Sequence, residues 1–107
     1  MSFSIELTKR FKREFKRLVK KFPSVKTEFA NLIDSLEENP IQGTPIGNGF
    51  YKIRAGIASK GKGKRGGARI ITYVVILKEV VYLVAMYDKS ERQNFSQKEL
   101  QEFLDEL

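Results

Sequence analysis

The sequence predicts an α+β fold: a two-helix hairpin packed on a twisted antiparallel sheet, with a short N-terminal strand, a three-strand meander and a C-terminal helix. Three observations carry this expectation. Two successive stretches repeat apolar residues every three or four positions, and only a proline turn separates them. Three apolar runs rich in β-branched and aromatic residues follow, and strands in sequence order joined by short connections are most simply antiparallel. A helix start signal then opens the last twelve residues.

Residues 3–6, Phe-Ser-Ile-Glu, alternate apolar and polar as a short first strand would. Leu7, Phe11, Phe15, Leu18 and Phe22 form one face of an amphipathic helix, and Lys9, Arg10, Lys12, Arg13, Lys16, Arg17, Lys20 and Lys21 form the other. Pro23 ends it. Ser24 is the expected N-cap of a second helix, whose buried stripe is Val25, Phe29, Leu32, Ile33 and Leu36. Asn39-Pro40 stops that helix, because the residue before proline avoids the helical region. Residues 41–49, rich in Gly, Pro and Asn, read as a loop. Strands are expected over 50–58, 69–77 and 80–87, with Lys78-Glu79 as a tight turn. Ser96-Gln97-Lys98-Glu99 is a capping box, with Phe95 and Leu100 placed for a hydrophobic staple. The helical hairpin is expected on one sheet face, leaving the other open for binding.

At 107 residues the chain is expected to be one domain. It has no cysteine and no histidine. Disulfides and cysteine-based zinc sites are excluded, and the commonest general base and metal ligand is missing. No cofactor or metal is implied. The lack of cysteine fits a reducing, cytoplasmic setting. No run is long enough to span a membrane, and the N-terminus has no uninterrupted apolar signal core. The net charge is +7 and uneven: residues 50–92 hold ten Lys/Arg against three Asp/Glu, and residues 93–107 hold one against four. A basic middle of this kind points to a polyanionic partner.

The chemistry concentrates in three places. Lys60 to Arg69, KGKGKRGGAR, holds four glycines and five cations with no acid. Glycines let a backbone approach a ligand closely, and the cations suit phosphate. Lys60, Lys62, Lys64 and Arg65 are candidate backbone contacts, or else a solubilising hairpin tip. Arg69 opens a strand, is held more firmly and can grip a phosphate with two parallel N–H bonds. Its alternative is an ion pair with Asp88 or Glu91. In FYKIR, alternation puts Phe50, Lys52 and Arg54 on one face, opposite Tyr51 and Ile53. Tyr87 closes the last apolar run beside Lys89 and Arg92, either as a functional residue or as a rim aromatic on the core. If the three strands pair in order, these sets can meet on one face. Cleavage of RNA by its own 2′-hydroxyl fits such an inventory. It needs a base, an acid and cations on the phosphorane, and clustered positive charge lowers the pKa of a nearby Lys or Tyr.

These residues resemble the RelE/ParE superfamily of bacterial type II toxins, particularly its RelE/HigB-like branch. The resemblance runs along nearly the whole chain. It rests on Asn39-Pro40 and the loop to Gly49, YKIR at 51–54, KGKGKRGGARII at 60–71 and YDKSER at 87–92. It implies a metal-independent endoribonuclease that enters the ribosomal A site, cuts mRNA, grips 16S rRNA with its basic surface and is neutralised by a cognate antitoxin. It further implies that Arg69 stabilises the scissile phosphate, that Arg54, a basic strand position near the mRNA backbone, belongs to the catalytic set, and that Tyr87 and Lys89 supply acid/base function. Lys52, Lys60, Lys62, Lys64, Arg65 and Arg92 would hold RNA. The chain departs from the RelE pattern at Ser90, where a second arginine is usual, and at Phe95 or Ser96, where a late tyrosine is usual. The alternatives are a gyrase-inhibiting ParE-like toxin and a non-catalytic RNA-binding module of the same fold.

Overall fold

A computed structural model describes residues 2–56, 67–91 and 94–107. The chain order is β1 (Ser4–Leu7), α1 (Lys9–Lys21), α2 (Val25–Glu38), β2 (Thr44–Gly47), β3 (Phe50–Ala55), β4 (Ala68–Val75), β5 (Val80–Asp88) and α3 (Gln97–Asp105). The α+β class and the helical hairpin agree with the sequence. The strands form one sheet in the order β1-β5-β4-β3-β2.

β1 differs from expectation in direction. It pairs parallel to β5, with Ser4 opposite Val80 and Leu7 opposite Leu83. The intervening helices make the crossover that parallel pairing requires. β1 also starts and ends one residue later than expected, and Leu7 belongs to it rather than to α1. Thr8 caps α1, its side chain accepting from the Phe11 amide at 3.1 Å. Ser24 sits before α2 but has helical backbone angles and makes no side-chain cap bond.

Residues 41–49 hold a strand as well as loop. β2 and β3 form a hairpin around Asn48 and Gly49, whose φ angles of 54° and 85° are those of a mirror-image turn. The described part of β3 ends at Ala55, and residues 57 and 58 of the expected strand lie outside the described residues. β4 spans 68–75, and the turn into β5 takes Ile76 to Glu79 rather than Lys78-Glu79 alone.

Two cores sandwich the sheet. Phe11, Leu18, Val25, Leu36, Ile53, Ile70, Leu83 and Met86 fill the side under α1 and α2. Phe50, Ile71, Val84, Ala85, Tyr87, Phe95, Leu100 and Phe103 fill the other. That second face is therefore partly covered by α3, not open as expected. The capping box is present, with Ser96 Oγ accepting from Glu99 N at 3.1 Å and Glu99 Oε1 accepting from Ser96 N at 3.0 Å.

The β4–β5 ladder contains one irregularity. Ile71 lies opposite Ala85 and Thr72 opposite Leu83, so Val84 is an extra residue in β5. Val84 and Ala85 consequently both face the α3 side. Beyond Leu83, β5 has no strand partner on its outer edge among the described residues. Polar side chains from α1 and its cap replace it: Glu14 Oε1 accepts from Met86 N at 3.0 Å, and Thr8 Oγ1 donates to Leu83 O at 3.2 Å. Such covering suppresses pairing with foreign strands.

Thr72, beside the bulge, is fully buried and its hydroxyl has no hydrogen-bond partner among the described residues. A buried polar group without a partner costs stability that an apolar group of the same shape does not. Thr72→Val is expected to raise unfolding free energy by about 1 kcal/mol, read as a higher urea midpoint at unchanged slope. A lower midpoint would mean that the hydroxyl is satisfied in solution.

Candidate phosphate-binding site

The ladders place three of the expected residues in one row. Arg54 lies opposite Arg69, and Arg69 lies opposite Tyr87. Cross-strand partners share a face, and neighbouring strands are only about 4.8 Å apart. Arg54 and Arg69 therefore stand side by side on the α3 face of the sheet. Phe50 on the same face of β3 packs against Phe103 of α3, whereas Ile53 packs beneath the hairpin. The expected alternation in FYKIR thus holds.

Two guanidinium groups directly across a ladder repel. Arg54 is exposed, but Arg69 retains only 5% of its accessible surface. Burial, then repulsion from Arg54, pull the Arg69 pKa below its ordinary value, and Tyr87 works against them. An arginine remains charged through such a shift. The row is therefore a positive centre of a kind that suits an anion. The Arg69 guanidinium is partly oriented by its own strand, Nη1 donating to the Ala68 carbonyl at 3.2 Å.

Tyr87 is 3% exposed, and Phe95 meets its ring edge-on at 5.5 Å between centroids. Phe95 in turn packs on Phe103 at 5.1 Å, and the Arg10 guanidinium from α1 lies over both rings. Tyr87 is thus a packing residue as well as a member of the row. Neither residue at the position of the missing late tyrosine is available for that role: Phe95 is core and Ser96 is the α3 cap.

Lys89 extends the ladder by one rung, its amide donating to Gly67 O at 3.1 Å. This rung needs glycine at 67, because a Cβ there would overlap the Ala55 carbonyl. The turn that carries Lys89 is fixed from three sides. Asp88 Oδ1 accepts from Ser90 N at 3.1 Å, Glu91 Oε1 accepts from Asp88 N at 3.2 Å, and Arg17 of α1 grips Glu91 through two bonds of 2.9 and 3.0 Å. Glu91 is thus engaged by Arg17, and Asp88 lies opposite Ala68, one position off the Arg69 row. Lys52 donates to Asn94 Oδ1 at 3.1 Å, which ties β3 to the segment before α3. A groove of about 620 Å³ beside the row runs between α2 and the sheet edge, lined by Glu28, Asn31, Ser35, Gln42, Lys52 and Arg54 among others.

The structure thus brings together Arg54, Arg69, Tyr87 and Lys89, with Lys52 alongside. Lys60, Lys62, Lys64, Arg65 and Arg92 lie outside the described residues. Sequence reasoning missed Gly67, Phe95 and the Arg17–Glu91 clamp as parts of the site. The glycine pair at 66–67 was a visible signal, but a contact across 74 positions was not. Among the described residues, no group of three or more His, Cys, Asp or Glu side chains is placed to hold a metal ion, and no helix is long and apolar enough to cross a membrane.

Residues 8–106 match the family described as the RelE toxin of the RelE/RelB toxin-antitoxin system. The chain belongs to the RelE toxin family. The isolated Escherichia coli RelE toxin has the same fold, with a TM-score of 0.60 at 18% identity over 99% of this chain and 100% of that one. A free double arginine-to-alanine mutant of E. coli RelE gives 0.61 at 17% identity, covering 99% and 94%. A chain of the Mycobacterium tuberculosis toxin-antitoxin complex RelBE2 gives 0.58 at 16% identity, covering 82% and 92%. In this RelE-family toxin, then, the Arg54–Arg69–Tyr87 row sits on the α3 face of the family sheet.

The hydrogen bonds from Arg17 hold the Glu91 pKa below the usual glutamate value, with burial opposing them. A carboxylate with a depressed folded-state pKa stabilises above its unfolded pKa and loses that contribution as pH falls through the folded one. The pair is half-exposed, so its contribution is at most about 1 kcal/mol. Arg17→Gln is therefore expected to lower stability slightly at neutral pH, with the deficit vanishing toward about pH 3. Urea unfolding at both pH values checks it. A deficit that persists in acid would assign the effect to packing.

Proposed function

We propose that this RelE-family toxin is an endoribonuclease that cuts mRNA in the ribosomal A site and that a cognate antitoxin neutralises it. The observation that carries the reading is the Arg54–Arg69–Tyr87 row, a buried, fixed guanidinium next to an exposed one with an aromatic hydroxyl in the same line. Support also comes from the family match and from the run of cations and glycines in the sequence of residues 60–69.

The chemistry requires no metal. The RNA 2′-oxygen attacks the adjacent phosphorus as its proton passes to a base. The bond from phosphorus to the 5′-oxygen breaks as that oxygen gains a proton from an acid, leaving a 2′,3′-cyclic phosphate. Arg69 and Arg54 are assigned to the non-bridging oxygens, where charge develops in the phosphorane. Tyr87 and Lys89 are assigned the proton transfers. Lys89 is exposed at the strand end and can reach substrate directly, and Tyr87 acts from beside Arg69. Lys52, Lys60, Lys62, Lys64, Arg65 and Arg92 are assigned to the RNA backbone and to 16S rRNA. The site of action would be the cytoplasm, where ribosomes translate.

Sequencing of mRNA 5′ ends after induction tests the activity. Arg69→Ala is expected to stay folded and to lose cleavage and growth inhibition by roughly 100-fold or more, the usual cost of removing a donor to developing charge. Full toxicity of a folded Arg69→Ala protein would overturn the assignment. Tyr87→Phe, which keeps the ring packing, and Lys89→Ala are expected to slow single-turnover cleavage more than they weaken ribosome binding. Weakened binding with unchanged cleavage would make both positional.

A further inference from the structure

The proposed site does not use the most highly charged element of the protein. α1 carries eight Lys/Arg and one Glu over residues 9–21, a net of +7, equal to the net charge of the whole chain. Lys21 lies over the Phe22 ring at 5.5 Å, and the other seven cations fall into two groups. Arg10 and Arg17, on one flank, are tied to Glu14 and Glu91. Lys9, Lys12, Arg13, Lys16 and Lys20 are all exposed, and among the described residues none of the five is in an ion pair. At about 100° per residue, these five fall within an arc of roughly 100°. The arc lies opposite Phe11 and Leu18, which are fully buried in the core.

This arrangement costs helix stability. Lys9–Arg13, Lys12–Lys16 and Lys16–Lys20 are like-charge pairs at four-residue spacing, each unfavourable by about 0.2–0.5 kcal/mol. The first turn has no acid, so Lys9 and Lys12 also oppose the helix dipole. Solubility alone calls for mixed charges, not one sign along a single stripe. α1 packs beneath the hairpin face of the sheet, and the Arg54–Arg69 row is on the other. The two positive surfaces therefore cannot meet the same phosphates.

We propose that the Lys9–Lys12–Arg13–Lys16–Lys20 stripe of α1 is a second RNA-binding surface, which docks on the phosphate backbone of a folded RNA while the opposite face handles the strand to be cut. It extends the proposed function, but its binding claim stands without cleavage. Between Lys9 and Lys20 the helix rises about 16 Å at about 1.5 Å per residue, a straight track that suits a backbone rather than a single phosphate. The surface reads charge and shape, not sequence.

The test compares two triple variants that remove equal charge. One is Lys12→Gln with Lys16→Gln and Lys20→Gln. The other is Lys26→Gln with Lys78→Gln and Lys98→Gln, three exposed lysines off the stripe. Glutamine and lysine have similar helix propensity, so the helix should persist by circular dichroism. Binding of a 2′-O-methylated RNA hairpin, which cannot be cut, is measured against salt. The stripe triple is expected to reduce the slope of log affinity against log salt by about 2 to 3 and the control triple by less than about 1. Equal slopes for the two triples, or an unchanged slope for the stripe triple, would overturn the proposal. So would loss of antitoxin affinity with RNA binding intact. A stripe that binds RNA in a protein that cuts no mRNA would refute the nuclease reading and leave this one standing.

Discussion

The register between β4 and β5 is the constraint on which the rest depends. Val84 is inserted where the ladder steps from Ile71 to Thr72, and the insertion reverses the parity of everything after it in β5. Tyr82 and Tyr87 are five residues apart and would lie on opposite faces of a regular strand. With the bulge, both lie on the α3 side. Only then can Tyr87 stand beside Arg69, and only then does Met86 point beneath the hairpin, where it packs with Leu83 and Ile70. The bulge thus serves both cores and the candidate site at once. It also leaves Thr72 buried beside it, with a hydroxyl that finds no partner among the described residues, a local cost of the irregularity.

A second constraint is electrostatic. Two arginines face each other across β3 and β4, one of them almost fully covered. Stability alone would favour an apolar residue or an acid at one position. The surrounding structure fixes the pair in place. Gly67 lets β4 close against Ala55; Phe95, itself packed on Phe103, meets the Tyr87 ring edge-on; and α1 clamps the following turn through Arg17. The same helix that carries the cationic stripe thus also supports the row, reaching around the β5 edge with Arg10, Glu14 and Arg17. A buried guanidinium beside an exposed one, firmly supported, is what phosphate recognition would use.

Much of the fold was legible because its signals are local. Apolar residues at three- and four-residue spacing gave α1 and α2, Asn39-Pro40 ended the second helix, and Ser96 with Glu99 marked α3 to the residue. The alternation that placed Lys52 and Arg54 together held because β3 has no bulge between Phe50 and Ala55. The bulge itself was not legible. Residues 81–87 are Val-Tyr-Leu-Val-Ala-Met-Tyr, apolar throughout, so no polar residue marks the change of face. The parallel pairing of β1 and the covering of the second face by α3 depend on distant contacts that no short pattern encodes. The β2 hairpin, in contrast, was written in Asn48-Gly49 and was obscured by the glycines and prolines around it. For the candidate site, residue types identified Arg69, Arg54 and Tyr87, but only the ladder put them in one line.

The most direct test of the account is whether Arg69 meets phosphate. Arginine side-chain NMR can follow each Nε–H signal during titration with a short 2′-O-methylated RNA, and it detects even a weak complex. The expected result is that the Arg69 and Arg54 signals shift together and saturate with one affinity, while Arg17, held by Glu91 on the other side of the turn, stays in place. If RNA binds and the Arg69 signal does not move, the row is not the phosphate site.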